Sequence, residues 1–184
     1  MGNFEIPSYI LKQYLPLKEL AMKKLLFSLL FALPVMAQDG FKNEHGNLVW
    51  QHTYPATVNV QALLDSNPDL QVATFINDVH KGAAEKIKNT CEQGSATMRN
   101  DCKFDFEVRR DNDNYVVTVT NLRVIEVMGP MQARTLANRC EKYFVDASRK
   151  IKKDQRTQND MSCVDSFLTG IFGGTIDNTA LTAN

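Results

Sequence analysis

The chain has 184 residues, 43% of them hydrophobic, and its 21 basic and 21 acidic side chains cancel. That balance offers no basic field for nucleic acid or for an anionic membrane surface. Neither repeats nor low-complexity tracts interrupt it.

Residues 1–21, MGNFEIPSYILKQYLPLKELA, precede a segment with a different layout. In residues 22–38, MKKLLFSLLFALPVMAQ, Lys23 and Lys24 stand before an apolar run that ends at Pro34, and Val35-Met36-Ala37 closes it. A charged start, an apolar middle and a small residue at the end form a secretory signal peptide. The expectation is cleavage between Ala37 and Gln38, with translation starting at Met22 and residues 1–21 a mis-assigned upstream extension. A myristoylation motif at Gly2 fails because Ile6 stands where Ser or Thr is required. The apolar run is shorter than the roughly 20 residues a membrane span needs, so no membrane anchor is expected after cleavage. Residues 1–37 hold four of the basic and two of the acidic residues, which leaves the exported part at −2. It is the size of one domain, read here as 38–175 with a flexible tail at 176–184.

Within that domain, NLVWQHTY at 47–54 alternates as a strand does, and Pro55 ends it. Trp50, the sole tryptophan, belongs to the core on this reading, while Trp50, His52 and Tyr54 together form a possible ligand platform. A short helix follows over VQALLD, ending near Ser66. Residues 70–89 fit two periods. Val72, Ile76, Val79, Ala83 and Ile87 recur at helical spacing, yet Leu70, Val72, Thr74 and Ile76 alternate. Gly82 weighs against the helix by about 1 kcal/mol relative to Ala.

The clearest element is KFDFEVRR at 103–110. Phe104, Phe106 and Val108 share one face; Asp105, Glu107 and Arg109 share the other. Asp111-Asn112-Asp113-Asn114 turns the chain into the strand YVVTVTNLRVIE, giving a hairpin with one wet face. The acidic turn is not an EF-hand, because Val116 and Leu122 occupy the positions where that loop needs Gly and Glu.

Gly129-Pro130 is read as the start of a long basic helix. Its apolar stripe would be Leu136, Cys140, Tyr143, Phe144, Ala147 and Ile151, with Arg139, Lys142, Arg149, Lys150, Lys152, Lys153 and Arg156 on the wet side. A second helix is expected from Ser162, with Asp165 completing a near capping box and Gly173-Gly174 ending it.

Four cysteines, Cys91, Cys102, Cys140 and Cys163, lie in the exported part, and an even count there reads as disulfides. Sequence proximity favours Cys91–Cys102 and Cys140–Cys163. The second pair sits poorly on two antiparallel helices, because Cys140 lies near the middle of the first; an alternative pairing would tie the hairpin to the helices. No CxxC occurs and no His stands near a Cys at ligand spacing, so no metal site is expected.

His45, His52 and His80 neighbour no convincing nucleophile or carboxylate pair, and no GxSxG, HExxH, P-loop or dinucleotide glycine pattern is present. Catalytic residues and cofactors are therefore not assigned.

Val49-Trp50-Gln51, Tyr54 and Leu63-Leu64 together resemble the opening of a family of exported bacterial domains of unknown function with a TATA-box-binding-protein-like α+β fold. The strand at 115–124 and a closing helix with Phe167 and Phe172 fit the later part of that fold. The four cysteines and the basic helix depart from it. The resemblance implies that 70–76 is a strand; it implies no catalytic residues and no DNA binding.

The expected fold is α+β: an antiparallel sheet containing 47–54, 102–110 and 115–126, joined by 70–76 if that segment is a strand, with helices on one face and two of them C-terminal. The expected function is a secreted or periplasmic non-catalytic binding or interaction module, its partner an unidentified protein or envelope component. The alternatives are a hydrolase with an unrecognised site and a structural component of the cell envelope.

Overall fold

The computed structural model describes residues 40–57 and 59–173. The segment read as a signal peptide, its expected cleavage between Ala37 and Gln38 and the expected tail at 176–184 lie outside the described residues.

The hairpin read from the alternating apolar residues is the centre of the molecule. β5 (Cys102–Asp111) and β6 (Asn114–Met128) pair antiparallel around a turn at Asn112 and Asp113. Phe104, Phe106 and Val108 point inward from β5, and Tyr115, Val117 and Val119 do so from β6. Beyond Thr120 the inward parity of β6 changes, to Leu122 and Val124. The cause is local. The register against β5 slips between Lys103 and Asp105, and Asn121 takes a positive φ of 52°. One extra residue on the bulged strand turns the next side chains over and keeps the apolar row facing the core.

Five more strands complete one antiparallel sheet: β1 (Gly40–Glu44), β2 (Asn47–Pro55), β3 (Gln71–Ile76), β4 (Val79–Ile87) and β7 (Arg134–Arg139). The order is β1-β2-β6-β5-β4-β3, and β7 pairs with the far half of β6. Two tight turns need left-handed backbone at both central residues, His45-Gly46 and Asn77-Asp78. That geometry matches the twist of a two-residue hairpin, and Asn, Asp and Gly are the residues that tolerate it. The ambiguity over 70–89 thus resolves into two strands around Asn77-Asp78. Val72 and Ile76, which the helical period would bury, are exposed. Gly82 is required by close approach: a Cβ there would collide with the Gln71 carbonyl oxygen and the Phe106 ring.

The long basic helix expected from Pro130 is not formed. β6 continues to Met128, Gly129 turns at φ 87°, and Arg134–Arg139 returns as β7. Within that stretch only a short 3-10 turn at Pro130–Gln132 and one α-helical turn at Glu141–Phe144, here α2, are helical. The apparent stripe was assembled from separate roles. Cys140 and Phe144 are buried, but Leu136 lies on the exposed side of β7. Ile151 bridges Val145 across a loop in which Asp146 accepts hydrogen bonds from the Ser148 and Lys150 backbone N–H groups. Arg149 and Lys150 are exposed cations of that loop.

α1 (Val60–Ser66) forms as expected, capped by the Asn59 side chain. The closing helix, α3 (Gln155–Phe172), starts seven residues earlier than its expected cap at Ser162. Asp154 is the cap, accepting from the Thr157 N–H at 2.9 Å and the Thr157 hydroxyl at 2.7 Å. Ser162 and Asp165 are interior helical positions. α3 lays Val164, Phe167, Leu168 and Phe172 on the sheet. Phe172 meets Trp50, Phe104 and Phe106 at centroid distances of 6.2, 6.3 and 5.7 Å. The fold is α+β, a seven-stranded antiparallel sheet with this helix packed on it.

The earlier start of α3 also changes the disulfide. Cys163 falls within the helix, facing the loop after β4, and bonds Cys91 with a Cα–Cα distance of 5.5 Å. The pairs Cys91–Cys102 and Cys140–Cys163 are therefore not formed; Cys102 and Cys140 are free and buried. They flank the same strand: Cys102 pairs with Val124 on one side of β6, and the Cys140 N–H donates to the Leu122 carbonyl from the other side. Burial pushes the Cys102 thiol up to about 12, and the Cys140 thiol well above its ordinary value.

Candidate functional site

Alternation along the strands aligns a second row of side chains with the core. Arg110 continues the inward sequence of Phe104, Phe106 and Val108 at the end of β5. The register sets His80 opposite Val108, Phe75 opposite His80, and Tyr115 opposite Arg110. All five side chains thus share the face that α3 covers. The helix ends at Phe172, where the Tyr115 hydroxyl donates to the Phe172 carbonyl at 2.7 Å. Beyond that point, among the described residues, the face is open. A pocket of about 420 Å³ opens there, between these strands and the start of α1, walled by Phe75, Asp78, His80, Arg110, Tyr115 and Gln61 among others.

The walls are chemically mixed. The rings of Phe75 and His80 stack at 4.3 Å and 23°. Phe75 remains 58% exposed, while His80 is only 8% exposed. His80 Nδ1 is buried without a hydrogen-bond partner, a costly state for a ring nitrogen taken out of water. Burial pushes the His80 pKa down, and the carboxylates of Asp65 and Asp78 oppose that. Asp78 reaches the pocket from the two-residue turn. Its carbonyl accepts from the Arg110 N–H at 3.3 Å, so the two residues adjoin in the backbone. Burial also raises the Tyr115 phenol to about 12, so it remains a neutral O–H.

The residues singled out in the sequence lie elsewhere. Trp50 has no exposed surface; its ring stacks on Phe172 and its Nε1–H donates to Asp165. Tyr54 is buried and stacks on Tyr115 at 5.0 Å. His52 lies between them, 4.5 Å from the Tyr54 ring. Of the platform read from sequence, Trp50 and Tyr54 are core aromatic packing, while His52 is partly buried. His45 occupies a turn, far along the sheet from the pocket. Only His80 of the three histidines enters it. Phe75, Asp78 and Arg110 were not identified from sequence, although Arg110 is in phase with Phe104, Phe106 and Val108.

Two wider hollows flank α3 and α1. One, of about 870 Å³, runs from Leu63 and Pro68 to Phe167 and Ile171. The other, of about 550 Å³, lies over the Cys91–Cys163 disulfide. Among the described residues, no three His, Cys, Asp or Glu side chains gather into a metal-holding group. Among the same residues, no helix is long and apolar enough to cross a membrane.

No protein-family model and no curated protein matches the sequence. Among solved structures, the chain is similar to a DUF4468 family protein from Bacteroides ovatus, at 13% identity and a TM-score of 0.39, over 73% of this chain and 91% of that one. It is also similar to a TBP-like protein from Parabacteroides distasonis, at 10% identity and a TM-score of 0.45, over 72% of this chain and 94% of that one. Both likenesses concern the fold alone, and the second bears the name of the fold that the segment around Val49-Trp50-Gln51 resembles.

Proposed function

We propose that the protein is an exported, non-catalytic binding domain that acts in an oxidising compartment, secreted or periplasmic. The observation that carries binding over catalysis is the state of His80 in its pocket. A general base needs a partner that orients it and a nucleophile within reach. His80 Nδ1 has no partner, and the Tyr115 hydroxyl is already donated to the Phe172 carbonyl. What the pocket offers instead is one aromatic face and a few convergent polar groups, the usual equipment of a recognition site. The export reading is supported by the layout of residues 22–38 and by the Cys91–Cys163 bond, since disulfides persist where thiols are not kept reduced.

A role as an envelope interaction component draws on a separate feature. All six residues of β3 are exposed at the sheet edge, Phe75 and Ile76 included, and such an edge can pair with another strand.

The test is made on protein recovered from an exporting host. Intact mass should correspond to a chain beginning at Gln38. A panel of ester, peptide, glycoside and phosphate-ester substrates should show no turnover. Turnover that disappears in His80→Ala would replace binding with catalysis.

A further inference from the structure

The hairpin of β6 and β7 outruns the rest of the sheet. β5 leaves β6 at the Cys102–Val124 pair, and among the described residues β7 alone accompanies Glu126–Met128. Gly129, at φ 87°, turns the chain through Pro130 and Met131. The result is a two-stranded ribbon. Four of the seven large apolar side chains exposed among the described residues lie on it: Val127, Met128, Met131 and Leu136. Met131, at its end, is 98% exposed. No charge interrupts residues 127–133.

The placing of these groups bears on what can cover them. Partners across an antiparallel pair share a face, and successive residues alternate. Met128 therefore lies with Arg134, Glu126 and Leu136 on one face, and Val127 with Thr135 on the other. Apolar groups are offered from both faces and from the end. A flat protein surface would cover one face of such a ribbon, whereas a bilayer surrounds an inserted tip on every side. The charges suit the second. Arg134 is exposed, stands opposite Met128 and forms no ion pair among the described residues. Its long stem can keep the guanidinium at the level of lipid phosphates while the tip enters. Glu126 accepts a hydrogen bond from Asn138 below the tip and marks the limit of entry. The two strand residues beyond it rise about 3.3 Å each. With the turn, that reaches the depth of about 5–10 Å at which apolar groups of surface-bound proteins rest.

We infer that the β6–β7 tip docks on a lipid bilayer: Val127, Met128, Met131 and Leu136 enter the boundary between headgroups and acyl chains, and Arg134 meets a lipid phosphate. The balanced net charge supplies no basic field, so apolar entry carries the contact and makes it reversible. The tip lies at the other end of β6 from Tyr115 and the pocket, so the inference does not depend on ligand binding there.

The test uses the chain recovered from an exporting host, floated with vesicles of phosphatidylcholine, alone and mixed with phosphatidylglycerol. The wild type should float with both, and better with the mixture. Met131→Asp should lower partitioning about tenfold or more, the loss expected when one apolar side chain is withdrawn from lipid. Asp tolerates the left-handed backbone at that position, and so exposed a side chain leaves the core untouched. Arg134→Gln should cost about fivefold on the mixed vesicles and less on phosphatidylcholine. Met131→Trp should add an emission that shifts to the blue with vesicles, over a constant signal from the buried Trp50. Wild type that stays in the aqueous layer with both vesicles, or Met131→Asp that floats as well as the wild type, would overturn the inference. Self-association that Met131→Asp abolishes, with no flotation, would overturn it too and give the ribbon to a second copy of the chain.

Discussion

The indole Nε1–H of Trp50 donates to Asp165 Oδ1 at 2.6 Å, joining β2 to the middle of α3. The donor belongs to a fully buried ring. Removing the acceptor strands a buried N–H, so Asp165→Ala should destabilise the domain by about 1.5–3 kcal/mol. Asp165→Asn keeps an acceptor and should recover part of the loss. Urea unfolding followed by Trp50 fluorescence measures both, as a midpoint shift at unchanged slope.

Two glycines should respond in opposite directions. Gly82→Ala drives a methyl into the Gln71 carbonyl and the Phe106 ring and should cost about 1–3 kcal/mol, as overpacking does. Gly170 is in α3 with nothing within 4 Å of where its Cβ would lie. Gly170→Ala should therefore stabilise by about 0.5–1 kcal/mol, through helix propensity. Thermal and urea midpoints of the two variants, measured side by side, check the contrast.

Peptide mapping without reductant should give one cross-link, Cys91 to Cys163. Iodoacetamide at mild alkaline pH should leave the folded protein unlabelled and should label Cys102 and Cys140 once it is unfolded, because burial holds both thiols protonated. Cys91→Ala with Cys163→Ala should lower stability by about 4 kcal/mol, given a sequence separation of 72. A link from Cys91 to Cys102 would contradict the fold as described.

Glu141 gives the domain a defined acid sensitivity. Burial alone would raise its pKa, but hydrogen bonds from Arg139 and from the Leu48 backbone N–H outweigh it and hold the carboxyl below its ordinary value. A carboxylate with a depressed folded pKa stabilises fully above its unfolded value, and the contribution is lost as pH falls through the folded one. Glu141→Gln should accordingly be less stable than the wild type at neutral pH, and the difference should shrink through the acid range below the ordinary Glu pKa. Urea midpoints across about pH 3–7, a range that brackets the ordinary Glu pKa, test the sign.

The sequence by itself determined what short-range physics controls. The alternation of Phe104, Phe106 and Val108 made β5, and the polar turn at Asn112-Asp113 made its hairpin. Asn59 capped the short helix where the leucines begin. The α+β class followed, since such elements bury their apolar faces only against one another. Tertiary structure decided the cases in which two local patterns were both acceptable. Residues 71–87 became strands because β5 offered a free edge to pair with and Phe106 left room only for a glycine at position 82. Residues 134–139 became β7 because β6 extended past its partner β2 and left backbone groups to satisfy. Cys163 met Cys91 because Asp154, and not Ser162, caps α3. The candidate site belongs to the same class. Phe75, Asp78, His80 and Arg110 come from three strands and a turn, and only the register between those strands and the early end of α3 bring them to one opening.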